Sequence, residues 1–272
     1  MAIITAAGVD ASFPRIMWDS VFRREGSQDV LSSTGDESTE FAMENAVIDP
    51  ATWNFWRPST MPGALEIYLE TAEVVDYALI AAHTLGTDSV TVSVQYDVGG
   101  SSPGDWATVA TTTPTDDTVL AFLFTPTTAR RWRLLFSEAG SPTARPSVGV
   151  AMLGRALTMP RGVRLDHGPI TLQRRTIIEP NRSEGGAFLG RSIRRLGAST
   201  QVGFSQLEEE FVRGEFLDFI TAARTHPWGW AWSPADRSDD VAYVWTLDDI
   251  RPRHEGLQNY LSVEFEIDGI LE

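Results

Sequence analysis

The sequence predicts an all-β protein with one main helix. Three observations carry this: apolar and polar residues alternate along several short segments, turn-forming residues cluster between them, and a single stretch shows helical recurrence.

In chain order, Leu65, Ile67 and Leu69 alternate with Glu66, Tyr68 and Glu70. Val90, Val92, Val94 and Tyr96 do the same against Thr91, Ser93 and Gln95, and Trp132, Leu134 and Phe136 against Arg131, Arg133 and Leu135. Such alternation turns one side of a strand to a core and the other to water. The turn-rich stretches Gly99–Asp105 and Thr111–Asp117 then predict an antiparallel sandwich with long loops at its ends. Trp53, Trp56 and Trp132 are assigned to its core.

Further on, Thr171–Glu179 and Ser199–Phe204 read as strands. Ser205-Gln-Leu-Glu208 has the spacing of a capping box, and Glu208, Glu209 and Glu210 suit the positive end of a helix. Val212, Phe216, Phe219, Ile220 and Ala223 recur at helical spacing, so the helix is expected over 205–225, closed by Arg224, His226 and Pro227. Val241–Thr246 and the alternation of Leu261, Val263, Phe265 and Ile267 are strands. One amphipathic helix among strands needs a sheet to cover, which makes this half a β-sandwich or open barrel with a flanking helix. The run Trp228-Gly-Trp-Ala-Trp232 reads as a strand with one face of Trp against that helix; alternate aromatic faces stacking sugars or bases is the competing reading. The boundary between the halves is expected within 156–166, where Pro160 and Gly162 fall. This divides the chain into a lead strand over 1–24, a domain over 25–160 and a second over 161–272, with Phe13, Ile16, Met17 and Trp18 available to the second.

Composition narrows the chemistry. Among 272 residues there is no cysteine, so a disulfide framework, a thiolate zinc site and a cysteine nucleophile are excluded. Nine tryptophans and 42% hydrophobic residues suffice for packed cores. No signal peptide or membrane-spanning run stands out, so the expectation is a soluble protein made in the cytoplasm, without membrane contact. Residues 1–160 carry 19 acidic and 9 arginine residues, residues 161–200 carry 3 and 8, and the remainder carries 15 and 5. A basic segment between two acidic blocks suggests association of neighbouring copies. The four histidines are scattered, and there is no phosphate-cradling loop or nucleophile elbow. Asp116-Asp117, Asp239-Asp240 and Asp248-Asp249 read as solvated turn residues rather than glycosidase pairs. The chain is therefore expected not to be an enzyme, and to need no cofactor or metal.

Two resemblances bear on function. The stretch Glu44-Asn-Ala-Val-Ile-Asp-Pro-Ala-Thr-Trp-Asn-Phe-Trp56 resembles the opening of discoidin-type domains, galactose-binding-like jelly rolls found in many carbohydrate-binding modules. Val75–Gly86, Val90–Tyr96 and Arg130–Leu134 follow in the same order, so the likeness covers roughly residues 25–158. That family's calcium site would use Asp49, but the closing strand Val148–Leu153 lacks its acidic ligand. Its loop aromatics bind glycans, which nominates Trp106.

Residues 170–191 resemble the hairpin arm of tail-tube and distal tail proteins of long-tailed bacteriophages, and the helix, the aromatic segment and the closing strand follow in that family's order over 161–272. The resemblance implies a ring of identical subunits, a hexamer, around the DNA channel, without sequence-specific binding. Arg174, Arg175, Arg182, Phe188, Leu189, Arg191, Arg194 and Arg195 would form the inter-subunit arm. Its tip, Ser183–Ala187, is expected to be too flexible to be held without a partner.

Together these imply a discoidin-like β-sandwich joined to a tail-tube-like β-sandwich or barrel with a flanking α-helix. The function implied is that of a virion structural protein at a siphophage tail tip, synthesised in the host cytoplasm. Its partners would be copies of itself, tail tube and tail hub proteins, and a host surface glycan. Two alternatives stand: a carbohydrate-binding protein or accessory module of a glycoside-active enzyme, and a trimeric tail-fibre or adhesin subunit.

Overall fold

The computed structural model describes residues 3–24, 30–34, 39–48, 51–99, 104–138, 145–256 and 259–271. The strands of the first half are β1 (Ile3–Thr5), β2 (Arg15–Ser20), β3 (Val30–Thr34), β4 (Gly63–His83), β5 (Val90–Asp97), β6 (Trp106–Thr112), β7 (Leu120–Glu138) and β8 (Val148–Thr158). Those of the second are β9 (Arg174–Arg182), β10 (Phe188–Glu208), β11 (Trp228–Ala231), β12 (Val241–Thr246), β13 (Arg253–His254) and β14 (Tyr260–Ile270). Hydrogen bonds order them β6-β5-β7-β4-β8-β2-β11-β12-β14-β10-β9, with β1 on β7, β3 on β4 and β13 on β14. The fold is all-β with one main helix.

Two long strands make the first half a sandwich. The first part of β4 pairs Leu65 with Leu134 and Tyr68 with Arg131; its second part pairs Tyr77 with Leu123 and Ile80 with Leu120. Between them the register slips, so β4 and β7 turn a corner together and supply strands to both layers. The alternating residues Leu65, Ile67, Val92, Val94, Trp132 and Leu134 face one core together with Trp56, which meets Phe136 at 5.2 Å. Past the corner β4 is buried on both sides: Ala78 and Ile80 face that core, while Tyr77, Leu79 and Ala81 pack with Val241 and Tyr243 of β12.

The two halves share the sheet through β2, which pairs with β8 on one side and with β11 on the other. Ile16 joins the second core, and Met17, its neighbour on the opposite face, joins the cluster between the halves. Gly154 permits the close approach of β2 and β8, since a Cβ there would lie 1.8 Å from the Asp19 carbonyl oxygen.

The second core places Phe216, Phe219 and Ile220 against Trp228 and Phe265. The Phe219 and Trp228 rings meet edge-on at 4.9 Å, and Trp18 reaches Phe219 from β2. The helix begins later than its capping-box spacing suggests. Ser205–Glu208 stay in β10, because Leu207 pairs with Leu261 and Glu208 with Tyr260 after a bulge. The helical N-cap is Glu208, whose side chain makes no capping bond. From Glu209 the chain runs as α-helix to Phe211, as a π turn over Val212–Phe216 and as α-helix over Leu217–Ala223. Gly214, at φ −93° and ψ −110°, absorbs the irregularity.

Candidate ligand-binding site at the loop end of the sandwich

Because β4 and β7 fold over at the corner, both ends of β4 return to the same end of the sandwich, and the loops meet there. Trp56 and Val148 exchange backbone hydrogen bonds of 2.8 and 3.0 Å, tying residues 51–62 to the start of β8. Ser147 N–H donates to Thr84 Oγ1 at 2.9 Å, and Thr84 Oγ1 donates to Asp88 Oδ2 at 2.5 Å, which adds the β4–β5 loop. Asp117 accepts the N–H groups of Gly86 and Thr87 at 2.9 and 3.0 Å and the Thr87 hydroxyl at 2.6 Å. The pair Asp116-Asp117 thus holds a loop in place, as its turn-rich surroundings suggest. Behind it, burial keeps the His83 imidazole below the ordinary histidine range.

These loops enclose a cleft of about 600 Å³, lined by Phe41, Arg57, Ser59, Thr84, Asp88 and Arg145 among others. Phe41 and Phe55 stack at 5.1 Å with an interplanar angle of 12°. The Arg57 guanidinium lies 5.1 Å from each ring, and its Nε and Nη2 donate to Ser147 Oγ at 3.1 and 2.6 Å. Arg57 is thereby held as a flat, oriented cation. Trp53 occupies a turn of the same segment, fixed by Asn54 N–H to Ala51 O at 3.2 Å and by Asn54 Nδ2 to Asn45 Oδ1 at 2.6 Å. Its side chain is 81% exposed, which corrects its assignment to the core. With Phe55 stacked and Trp56 buried, the close spacing of three aromatics leaves Trp53 outside. The segment 51–62 thus carries both an exposed indole and a held guanidinium, one group suited to stacking and one to donating hydrogen bonds.

The residues nominated from sequence lie elsewhere. Trp106 opens β6 opposite Asp97 and is not at a loop apex. It sits near the corner of the sandwich, away from the loop-end cleft. Asp49 lies outside the described residues. Trp228 and Trp230 are fully buried, so neither presents a face to sugars or bases.

The arm residues do come together. β9 and the first part of β10 pair as a hairpin with Arg182 opposite Phe188, Pro180 opposite Arg191 and Ile177 opposite Arg194. Every residue of β9 is exposed, as are Phe188 and Leu189, at 66% and 69%. Arg175 approaches Asp268 at 3.7 Å at the base. The backbone of Arg195 pairs with Thr176, while its side chain lies outside the described residues. The tip closes as a turn: Ser183 N–H bonds Ala187 O and Gly186 N–H bonds Ser183 O, both at 2.9 Å, with Gly186 at φ +81°. Sequence reasoning missed Trp53, Phe41, Arg57 and Arg145. The one available signal was the crowding of Trp53, Phe55 and Trp56 within four positions.

No family model and no curated protein matches the chain. Among solved structures it is similar to chitosan-binding module 2 of a chitosanase/glucanase from Paenibacillus sp. IK-5, in complex with chitotriose. That likeness has 18% identity and a TM-score of 0.39, and covers 47% of this chain and 96% of the module. The family 32 carbohydrate-binding module of Streptococcus pneumoniae EndoD shares 16% identity at a TM-score of 0.36, covering 46% and 94%. A GH29 fucosidase from Ruminococcus gnavus shares 16% at 0.42, covering 51% of this chain and 27% of the fucosidase.

Proposed function

We propose that this protein is a glycan-binding protein whose ligand sits in the loop-end cleft, with Trp53 as its stacking platform and Arg57 as its principal hydrogen-bond donor. The observation that carries this reading is the exposed Trp53 on a braced turn, which leaves an aromatic face open for a sugar ring to stack on. The role is binding, not catalysis. Titration of the full chain with a panel of oligosaccharides tests it. Wild type binds at least one, and Trp53→Ala weakens that binding by about tenfold or more, the equivalent of a stacking contact. A wild-type protein that binds none of the panel ends the proposal.

A second reading is favoured by the arm. A hairpin whose strand β9 is exposed throughout, with Ile177, Ile178, Phe188, Leu189 and Ile193 also exposed, suits docking on neighbouring copies. In this reading the chain is a virion structural protein of a siphophage tail tip, an oligomeric ring that presents the sandwich outward. The two readings are compatible, because the cleft and the arm lie on different elements. Repetition around a ring would raise weak glycan affinity by about 10²–10⁴ through avidity.

A further inference from the structure

Resting on the glycan-binding reading of this cleft, we infer that its ligand is an acidic glycan, one whose sugar carries a carboxylate. The protein as a whole bears a net charge of −15, yet among the described residues the cleft sets two arginines, Arg57 and Arg145, against one lining carboxylate, Asp88. One of its oxygens is engaged: Asp88 Oδ2 accepts the Thr84 hydroxyl at 2.5 Å. Of the neighbouring acidic pair, Asp117 is turned to the backbone of Gly86 and Thr87, and Asp116 accepts the Thr118 N–H at 3.1 Å.

The arginines differ in what they contribute. Arg57 is pinned on one edge by Ser147 Oγ and on its face by Phe41 and Phe55, and among the described residues no acceptor engages its Nη1. A guanidinium fixed in plane and orientation loses little freedom on binding and meets a carboxylate with two parallel N–H groups more readily than a freely rotating one. Arg145 is exposed on the facing segment, where it closes the cleft on a second carboxylate oxygen or a neighbouring hydroxyl. Among the described lining residues the charged donors outnumber the one carboxylate, which shares Oδ2 with the Thr84 hydroxyl. The donor-rich lining therefore matches an anionic residue better than a neutral one.

The test is calorimetric titration of the full chain with trigalacturonate, with the neutral galactotriose, and with sodium sulfate as a simple anion. Trigalacturonate is expected to bind about tenfold or more tightly than galactotriose, the difference a charge-assisted hydrogen bond makes, and to weaken as salt is raised. Arg145→Gln should remove most of that preference while leaving the melting temperature unchanged, since the side chain is exposed. Arg57→Lys should remove it too, because a point charge lacks the flat donor pair. Equal binding of both sugars, lost in Trp53→Ala, overturns the acidic assignment and leaves the glycan reading standing. Binding of neither sugar overturns the acidic assignment, and the wider oligosaccharide panel then decides the glycan reading separately. Competition by sulfate at the same concentrations as trigalacturonate, indifferent to Trp53, replaces the assignment with a plain anion site.

Discussion

The Arg133 guanidinium carbon lies 4.0 Å from the centroid of the Trp106 ring. Arg133 is held there by its Nε bond to Gln95 Oε1 at 2.7 Å and by Glu66 at 3.4 Å, while Arg131 lies 5.6 Å from Tyr68 and 5.9 Å from Trp106. These side chains form a ladder of aromatic rings and arginines across the outer face of the front strands. A ring already covered by a guanidinium is a poor platform for a sugar. Trp106→Ala should therefore leave glycan affinity unchanged and lower stability by about 1 kcal/mol, the scale of a partly exposed cation–π contact. Thermal melting and glycan titration of the same variant check this, and lost binding at unchanged stability would return Trp106 to the site.

The fold was legible where burial is one-sided. Leu65, Ile67, Val92, Val94, Trp132 and Leu134 alternate because one sheet face is a core and the other is water, and each is where the alternation puts it. The apolar stripe Val212, Phe216, Phe219, Ile220 and Ala223 is likewise buried. The helix start was misjudged because capping residues report only a local preference. Ser205–Glu208 carry the right side chains, but the pairing of Leu207 with Leu261 in a packed sheet outweighs an N-cap contribution of about 1 kcal/mol. The continuous apolar run Ala78–Ala82 has no alternation because β12 covers the back of β4, a contact between residues far apart in sequence. The candidate cleft was the least legible feature. Phe41 and Arg57 are joined by the Arg57 N–H bond to Phe41 O at 3.2 Å, and the Trp56–Val148 pairing ties this segment to the start of β8, which Arg145 precedes; nothing in their sequence spacing records it.

The stability of the fold should respond to pH through His83. Its Nε2 lies 2.9 Å from Thr118 O, and its Nδ1 accepts the Leu85 N–H at 3.3 Å, so a neutral ring protonated on Nε2 satisfies both partners. A second proton would set two N–H groups against each other. Burial depresses the imidazole pKa, against the opposing pull of Asp117, the Thr118 carbonyl and Asp116. The unfolded chain takes up this proton near pH 6.5, whereas the folded chain does so only at lower pH. The stability His83 contributes is thus complete above the unfolded pKa and is lost as pH falls through the folded one. Asp19 and Asp76, raised by burial, act in the opposite sense in the carboxylate range, so the difference between proteins is the measure. Urea unfolding of wild type should weaken relative to His83→Gln between pH 7 and pH 5, since the amide can keep both hydrogen bonds without titrating. Parallel curves would remove His83 as the cause.

The arm makes a prediction about assembly. In the ring reading its apolar residues supply most of the docking energy and its arginines set register, because exposed ion pairs contribute only about 0–1 kcal/mol each. Reversing Arg194 and Arg195 to Glu should leave the subunit folded, as Arg194 and every residue of the paired strand β9 are exposed. Sedimentation should then shift from oligomer to monomer. Phe188→Ser with Leu189→Ser should do so more completely. Wild type that sediments as a monomer at physiological salt and micromolar concentration would defeat the ring reading and leave the glycan reading intact.

Limited proteolysis separates covalent from structural division of the chain. Residues 161–166 connect β8 to the second half, and most of them are exposed, so we expect the first cut there and not within 60–138. The nicked protein should nonetheless stay together under native conditions. β2, on the N-terminal side of the cut, hydrogen-bonds β11 through Met17–Gly229, Ile16–Trp230 and Arg15–Ala231, while Met17, Tyr77 and Leu79 pack with Val241 and Tyr243 from beyond it. Trp18 adds its contact with Phe219. Burying several large apolar side chains across the junction, at about 1.5–3 kcal/mol each, outweighs the loss of one peptide connection. The two fragments should co-elute in gel filtration and separate only in denaturant. First cleavage within 60–138 would reject the proposed division, and free separation of the nicked halves would reject the shared sheet as the element that joins them.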